Sequence, residues 1–256
     1  MTARGGTGAV VYQGPSRIGP GNVVVILTWT SANAKIGPMV QAWILASDAA
    51  PHVAIQTGQD RAACGDCPRA GGDGCYVVTH RAPRSVYETW RAGGYETLPL
   101  EVAALRLAGQ RLRIGAYGDP SAVSPEVWAA LTSRTSGHTS YTHGADVAPE
   151  LRASTMASAD SPEEARRYQA AGWRTYRVRR VDRQGVPEPL ERGEIACPAS
   201  TEGGKATACA WCLLCDGQRG ATDARRNVAI IDHSGTTSSR GVRLRRSQEG
   251  AALAAV

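Results

Sequence analysis

The chain has 256 residues, 42% of them apolar and 20% charged, which is enough for a globular unit with a sizeable core. A formal charge of +6 permits a nucleic-acid partner without requiring one, and seven cysteines, an odd number, suit a reducing cytoplasm better than an oxidised scaffold. No apolar run reaches the roughly 18 residues of a membrane span, and the opening MTARGGTGAVVYQG has no apolar leader core, so neither membrane insertion nor export is expected.

Residues 1–10 and 236–256, the latter with a basic RLRR, read as flexible arms around a single α/β metal-binding domain at 11–235. NVVVILT (22–28) reads as a strand leading into a long loop that carries Cys64, Cys67 and Cys75; loops of that length are usually functional or organised by a metal. Helical patterns follow at 84–92 and 99–108, and then strands and helices alternate. RLRIGAY (111–117) is a strand; 124–134 is a helix with Ser124 as its cap and Pro125 in its first turn. Strands are expected at 138–143 and 153–158, then a helix at 161–172 opened by the Ser161–Glu164 capping box and stopped by Gly172. Strands at 173–180, 194–197 and 228–232 complete the series. Alternation of this kind predicts a parallel sheet, open or curved into a partial (β/α) barrel, decorated with cysteine-rich metal-binding loops.

Polar residues collect where such a fold builds its sites. Asp119, Thr142–His143, Ser158 and Asp160, Cys197, and Asp232–His233 all follow strand ends, the functional face of parallel α/β architectures. Asp119 and His143 are the candidate acid and base, expected on one face. Trp29, Trp43, Trp90, Trp128 and Trp173 lie in periodic segments and read as core.

The cysteines fall into two groups. Cys64-x2-Cys67-x7-Cys75 offers three thiolates, which can hold a four-iron cluster with one iron open to substrate, or a zinc ion with His80 as fourth ligand. A radical S-adenosylmethionine enzyme places such a loop after the first strand of a partial barrel, although the spacing here differs from the usual C-x3-C-x2-C. Cys197-x11-Cys209-x2-Cys212-x2-Cys215 offers four thiolates for a closed site, structural or electron-relaying. Three ligands within seven residues favour a cubane cluster over zinc, which usually draws on two separated pairs. Trp211, between ligands, is expected to shield the metal from water.

Taken together, YQGPSRIG, NAKIGPMVQAWIL, ACGDCPRAGGDGCYV, RIGAYGDPSAVSPEVW, YTH, MASADSPEEARRYQAAGWRTYRV, CPASTEGGK and CAWCLLCDG resemble a cysteine-rich family of unassigned activity encoded by tailed phages and prophages, over roughly residues 12–235. This chain departs from it at Ile36, where related sequences carry Thr, and at Gly144–Ala145, where they carry Gln-Trp. The resemblance implies the cytoplasm of an infected or lysogenic bacterial host and supplies no reaction. The residues themselves leave three functions open. One is an iron–sulfur, radical-type enzyme that modifies nucleic acid or a nucleotide, with 4Fe-4S clusters and S-adenosylmethionine as candidate cofactors. The second is a zinc-stabilised nucleic-acid-binding protein without catalysis, and the third is a zinc-dependent base-exchange enzyme with Asp119 as nucleophile.

Overall fold

The computed structural model of the chain describes residues 6–70 and 74–232. The expectations placed on the arm at 236–256, on residues 1–5, and on His233 lie outside the described residues.

The chain opens with three strands, β1 (Gly8–Pro15), β2 (Asn22–Thr28) and β3 (Val40–Ala46), paired antiparallel in succession. β1 takes in Gly8 to Val10, part of the stretch read as an arm. β3, α1 (Pro51–Thr57) and α2 (Arg61–Cys64) occupy what the sequence reading took for one long loop, so the first cysteine sits on a helix end. β3 was illegible because VQAWILA is buried at nearly every position, and a continuous apolar run carries no period of two.

Next come α3 (Ala82–Arg91), β4 (Glu96–Thr97), α4 (Leu100–Arg106), β5 (Arg111–Tyr117), α5 (Pro125–Thr132), β6 (Gly137–Thr139) and β7 (Tyr141–Thr142). The last stretch holds β8 (Met156–Ala159), α6 (Pro162–Ala170), β9 (Thr175–Arg179), β10 (Glu194–Ala196), α7 (Cys209–Cys212) and β11 (Asn227–Ile231). Pro125 opens α5 as expected, but the Ser124 side chain turns to Glu126 and makes no cap. Ser161 does cap α6: its Oγ accepts the Glu164 amide at 3.1 Å, and the Glu164 carboxylate accepts the Asp160 amide at 2.8 Å. The cap thus also fixes the backbone of a strand-end carboxylate.

The strands form two sheets, ordered β4-β1-β2-β3-β5-β6 and β10-β11-β9-β8-β7. From β3 to β6, and throughout the second sheet, the pairing is parallel. The protein is therefore of mixed α/β class, with a parallel sheet produced by the alternation that the sequence displays. One residue, Ser140, separates β6 from β7; it donates to the Cys215 carbonyl at 2.8 Å, and its own carbonyl accepts the Met156 amide at 3.1 Å. Both sheets are open: among the described residues β4 pairs only with β1, and β10 only with β11.

The main core lies on one face, where Val23, Val25 and Leu27 of β2 and Leu112 and Ile114 of β5 meet Leu107, Trp128 and Leu131 beside α4 and on α5. Trp128 is 1% exposed, and its indole N–H donates to the Pro120 carbonyl, so its burial leaves no polar group stranded. Trp173 is also buried, whereas Trp29, Trp43 and Trp90 pack at the core margin. The opposite faces of the strands carry the chemistry. In RLRIGAY, Leu112, Ile114 and Ala116 point to the helices, while Arg113, Gly115 and Tyr117 line a cavity. Gly115, with φ +70°, accommodates a register shift against β3 that swings Tyr117 and the following turn over the cavity.

Candidate functional site

A cavity of about 280 Å³ lies at the carboxyl ends of the parallel strands. Its wall includes Cys64, Cys67 and Cys75 from the first cysteine group and Cys197 and Cys209 from the second. Asp119, His143, Ser158 and Asp232 also line it, so polar residues from four strand ends meet on one face.

The first group is held by backbone and by ion pairs. Cys64 ends α2, and the amide of Asp119 donates to the Ala63 carbonyl at 2.7 Å, tying that helix to the end of β5. The Cys67 amide then turns back onto the Cys64 carbonyl at 3.1 Å. Arg69, two residues on, reaches across the strand ends: its Nε donates to Asp160 at 2.6 Å, and its terminal nitrogen donates to Asp232 at 3.2 Å and to the Gly74 carbonyl at 3.2 Å. One guanidinium thus spans the loop between the second and third cysteines.

His143 stands against this loop. Its Nδ1 lies 3.4 Å from the Cys67 sulfur, and its Nε2 lies 3.3 Å from Asp160, at ion-pair distance but without the angle of a good hydrogen bond. Burial pulls the imidazole pKa down, yet Asp160 and Cys67 outweigh burial and hold it well above the usual histidine value. Burial likewise opposes ionisation of Asp160, but His143 and Arg69 overcome it and lower its pKa to about 2. Burial, then the neighbouring thiols, raise Cys64 well above the ordinary thiol range; burial does the same for Cys75.

Asp119, the expected acid, base or nucleophile, is 7% exposed, and both oxygens are engaged: Oδ1 accepts from the Ser121 amide, the Ser121 hydroxyl and the Thr142 hydroxyl, and Oδ2 accepts the His143 amide at 2.8 Å. Through that last bond it fixes the backbone of His143. His80, expected as a zinc ligand, is exposed in the turn before α3 and does not line the cavity.

The second group is assembled from three directions. Cys197 follows β10, its amide donating to the Ala229 carbonyl at 2.8 Å. Cys209 and Cys212 bracket α7, which is docked by Cys209 and Ala210 amides donating to the Lys35 and Ile36 carbonyls. Cys215 lies against Ser140, and buried Arg174 fixes the loop by donating to the Leu214, Gly217 and Arg226 carbonyls. Cys197, Cys209 and Cys215 sit among Met156, Val228 and Ile230 in an apolar cluster. Burial raises the pKa of Cys209, Cys212 and Cys215 alike, while Arg113 and Lys35 pull Cys209 back. Trp211 does not shield them: it is 61% exposed and stacks under Arg111 at 4.2 Å.

All seven cysteines are free thiols, and among the described residues no set of three or more His, Cys, Asp or Glu stands in a metal-coordinating arrangement. Within each group the thiols are near enough to perturb one another electrostatically. Tyr117, at the end of β5, lines the cavity as its strand-end position suggests; the sequence reading overlooked Arg69 and Arg113 and the tyrosines Tyr76, Tyr141 and Tyr176, which line it too. Arg113 had a readable signal, a charge on the alternate face of a buried strand. Arg69 had none, because its partners are 91 and 163 positions away.

No family model, no curated protein and no solved structure matches this chain. Among the described residues, no helix is long and apolar enough to cross a membrane.

Proposed function

We propose that the protein is a metal–thiolate enzyme that modifies a nucleotide or a nucleic-acid base in the shared cavity, and that it works in a phage-infected or lysogenic cell. The observation that carries this reading is that two cysteine groups, far apart in sequence, border one cavity at the carboxyl ends of parallel strands, the functional face of parallel α/β architectures. Cys64, Cys67 and Cys75 would hold the reactive centre, and Cys197, Cys209, Cys212 and Cys215 the auxiliary one. Burial disfavours the charged form of five of the seven free thiols, Cys64, Cys75, Cys209, Cys212 and Cys215, and a bound cation would offset that cost. Among the described residues no three ligands stand in a coordinating arrangement, so binding would have to draw the thiols together. With His80 exposed and off the cavity, three thiols would leave a 4Fe-4S cluster one open position, whereas a closed zinc site would lack its fourth ligand. When bound, such a cluster would supply electron transfer at that open position, with S-adenosylmethionine as the candidate co-substrate.

The residues of the chain perform the remaining tasks. Asp119 holds the His143 backbone, and Asp160 and Arg69 hold its ring, so a proton donor is fixed beside the reactive thiols. The buried rings of Tyr117, Tyr141 and Tyr176 exclude water and offer flat surfaces to a base; Tyr141 and Tyr176 lie 4.5 Å apart. The test is anaerobic purification of the full chain, with iron, zinc and sulfide measured per chain and an absorbance spectrum recorded. Iron with matching sulfide and a broad visible band support the reading; colourless zinc protein supports the zinc alternative, and metal-free protein refutes both.

One observation favours a second reading. The Cys67–His143–Asp160 series has the order of nucleophile, base and orienting acid. In that case Cys67 attacks as a thiolate paired with the His143 imidazolium, its sulfur bonding to an electrophilic carbon as the bond to the leaving group breaks, and the imidazolium gives its proton to that leaving group. Metal-free protein whose Cys67 is alkylated by iodoacetamide far faster than its other thiols would establish this reading over the first.

A further inference from the structure

Arg113 is a cation without an anion. It projects from β5 into the cavity; its Nε is sealed from solvent and has no partner, and a terminal nitrogen donates to the Tyr76 hydroxyl at 2.7 Å. No carboxylate lies within ion-pair distance of it among the described residues, and the same is true of Lys35 on the same wall. Two other arginines of the chain are compensated. Arg177, fully buried on β9, pairs with Glu194 and Glu188, and Arg69 pairs with Asp160 and Asp232. Withdrawing a guanidinium from water is unfavourable unless a counter-charge or a full set of acceptors replaces the water. The groups near Arg113 on this wall are the phenols of Tyr76, Tyr141 and Tyr176, and a phenol brings no counter-charge.

We infer that the cavity takes a ligand bearing an oxyanion, a carboxylate or a phosphate, which pairs with Arg113 and Lys35 while an adjoining flat ring lies against Tyr141 and Tyr176. A planar guanidinium that lines the cavity without a counter-ion suits charge-assisted N–H···O bonds from its terminal nitrogens to such a group. The inference rests on the cavity being the functional site and is independent of whether the thiols hold a metal.

The experiment is calorimetric titration of the full chain as purified, with phenyl phosphate, benzoate and neutral benzyl alcohol as probes, and with metal content measured on the same sample. At least one anion should bind saturably and about 10-fold or more tighter than benzyl alcohol, and the stronger of the two identifies the oxyanion. Arg113→Gln should weaken that binding about 10- to 100-fold, Arg113→Lys only severalfold, and Arg111→Gln, one pleat away on the Trp211 stack, should leave it unchanged. Should Arg113→Gln fail to fold, competition in the wild type decides, because inorganic phosphate or acetate must displace the aromatic anion. Equal affinity for benzyl alcohol, undiminished binding by Arg113→Gln, or no saturable anion binding would overturn the inference, leaving Arg113 as a counter-charge to the second thiol group. Anion binding by metal-free protein sinks the metal reading alone; metal-loaded protein that ignores the anions sinks this one alone.

Discussion

The two cysteine groups share a cavity but not an environment. Cys64, Cys67 and Cys75 stand against a wall of ion pairs, in which Arg69 joins Asp160 and Asp232 and His143 lies between Asp160 and a thiol. Cys197, Cys209 and Cys215 stand among Met156, Val228 and Ile230, in a loop clamped by backbone hydrogen bonds and by Arg174. The first group thus has His143 and an ion-pair wall beside Cys67, and the second is held mainly by apolar packing and backbone tethers, with Arg113 and Lys35 near Cys209. On the proposed function, that difference places reactivity in the first group and architecture in the second.

The sharpest way to break that contrast is to disable one thiol in each group. Cys215→Ser should abolish soluble folding or shift the melting temperature massively if the second group holds a structural metal, whose binding energy is on the order of 10 kcal/mol. A melting shift worth only about 1–3 kcal/mol would reduce Cys215 to an ordinary buried thiol. Asp119→Ala comes next, because it strands four donors that arrange the first group's wall; a loss of about 3 kcal/mol is expected in denaturant titration. A loss below about 0.5 kcal/mol would mean that His143 is positioned by other contacts.

Asp160→Asn probes the wall by pH. The folded pKa of Asp160 is depressed to about 2 from 3.8, so its contribution is present above the unfolded value and disappears as pH falls through the folded one. The His143 pKa is raised, so its contribution is complete below the unfolded value of 6.5 and fades as pH climbs through the raised one. The cost of Asp160→Asn, on the order of 2 kcal/mol, should therefore be greatest between about pH 4 and 6.5 and shrink on the acid side, as read from melting curves across pH. A cost independent of pH would point to lost packing instead of lost charge. The smallest effect on stability belongs to Cys67→Ser: a change within about 1 kcal/mol, with loss of the first group's metal and retention of the second's. Collapse of the whole fold on that substitution would erase the contrast between the groups.

Much of this was legible in the sequence, for physical reasons that differ from part to part. The capping box at Ser161–Glu164 and the alternation of RLRIGAY are local patterns, and both survive in the structure as read. The convergence of strand ends followed from parallel topology, which places Asp119, His143 and Asp232 on one rim whatever their spacing. β3 was hidden because a strand buried on both faces shows no period. The surroundings of Asp119 were not legible, because sequence displays a carboxylate but not its four donors. His80 was chosen as a ligand by proximity in the chain, whereas the imidazole beside Cys67 belongs to His143, 76 residues away. Side-chain partners brought together by tertiary closure leave no trace in spacing.

X-ray absorption at the iron and zinc edges of anaerobically purified full-length protein tests the central claim most directly. The account predicts a stoichiometric metal surrounded by sulfur at about 2.3 Å, with iron–sulfur as the dominant signal and roughly half of it lost in Cys67→Ser. Metal below stoichiometric amounts, or a shell of oxygen and nitrogen without sulfur, would contradict it.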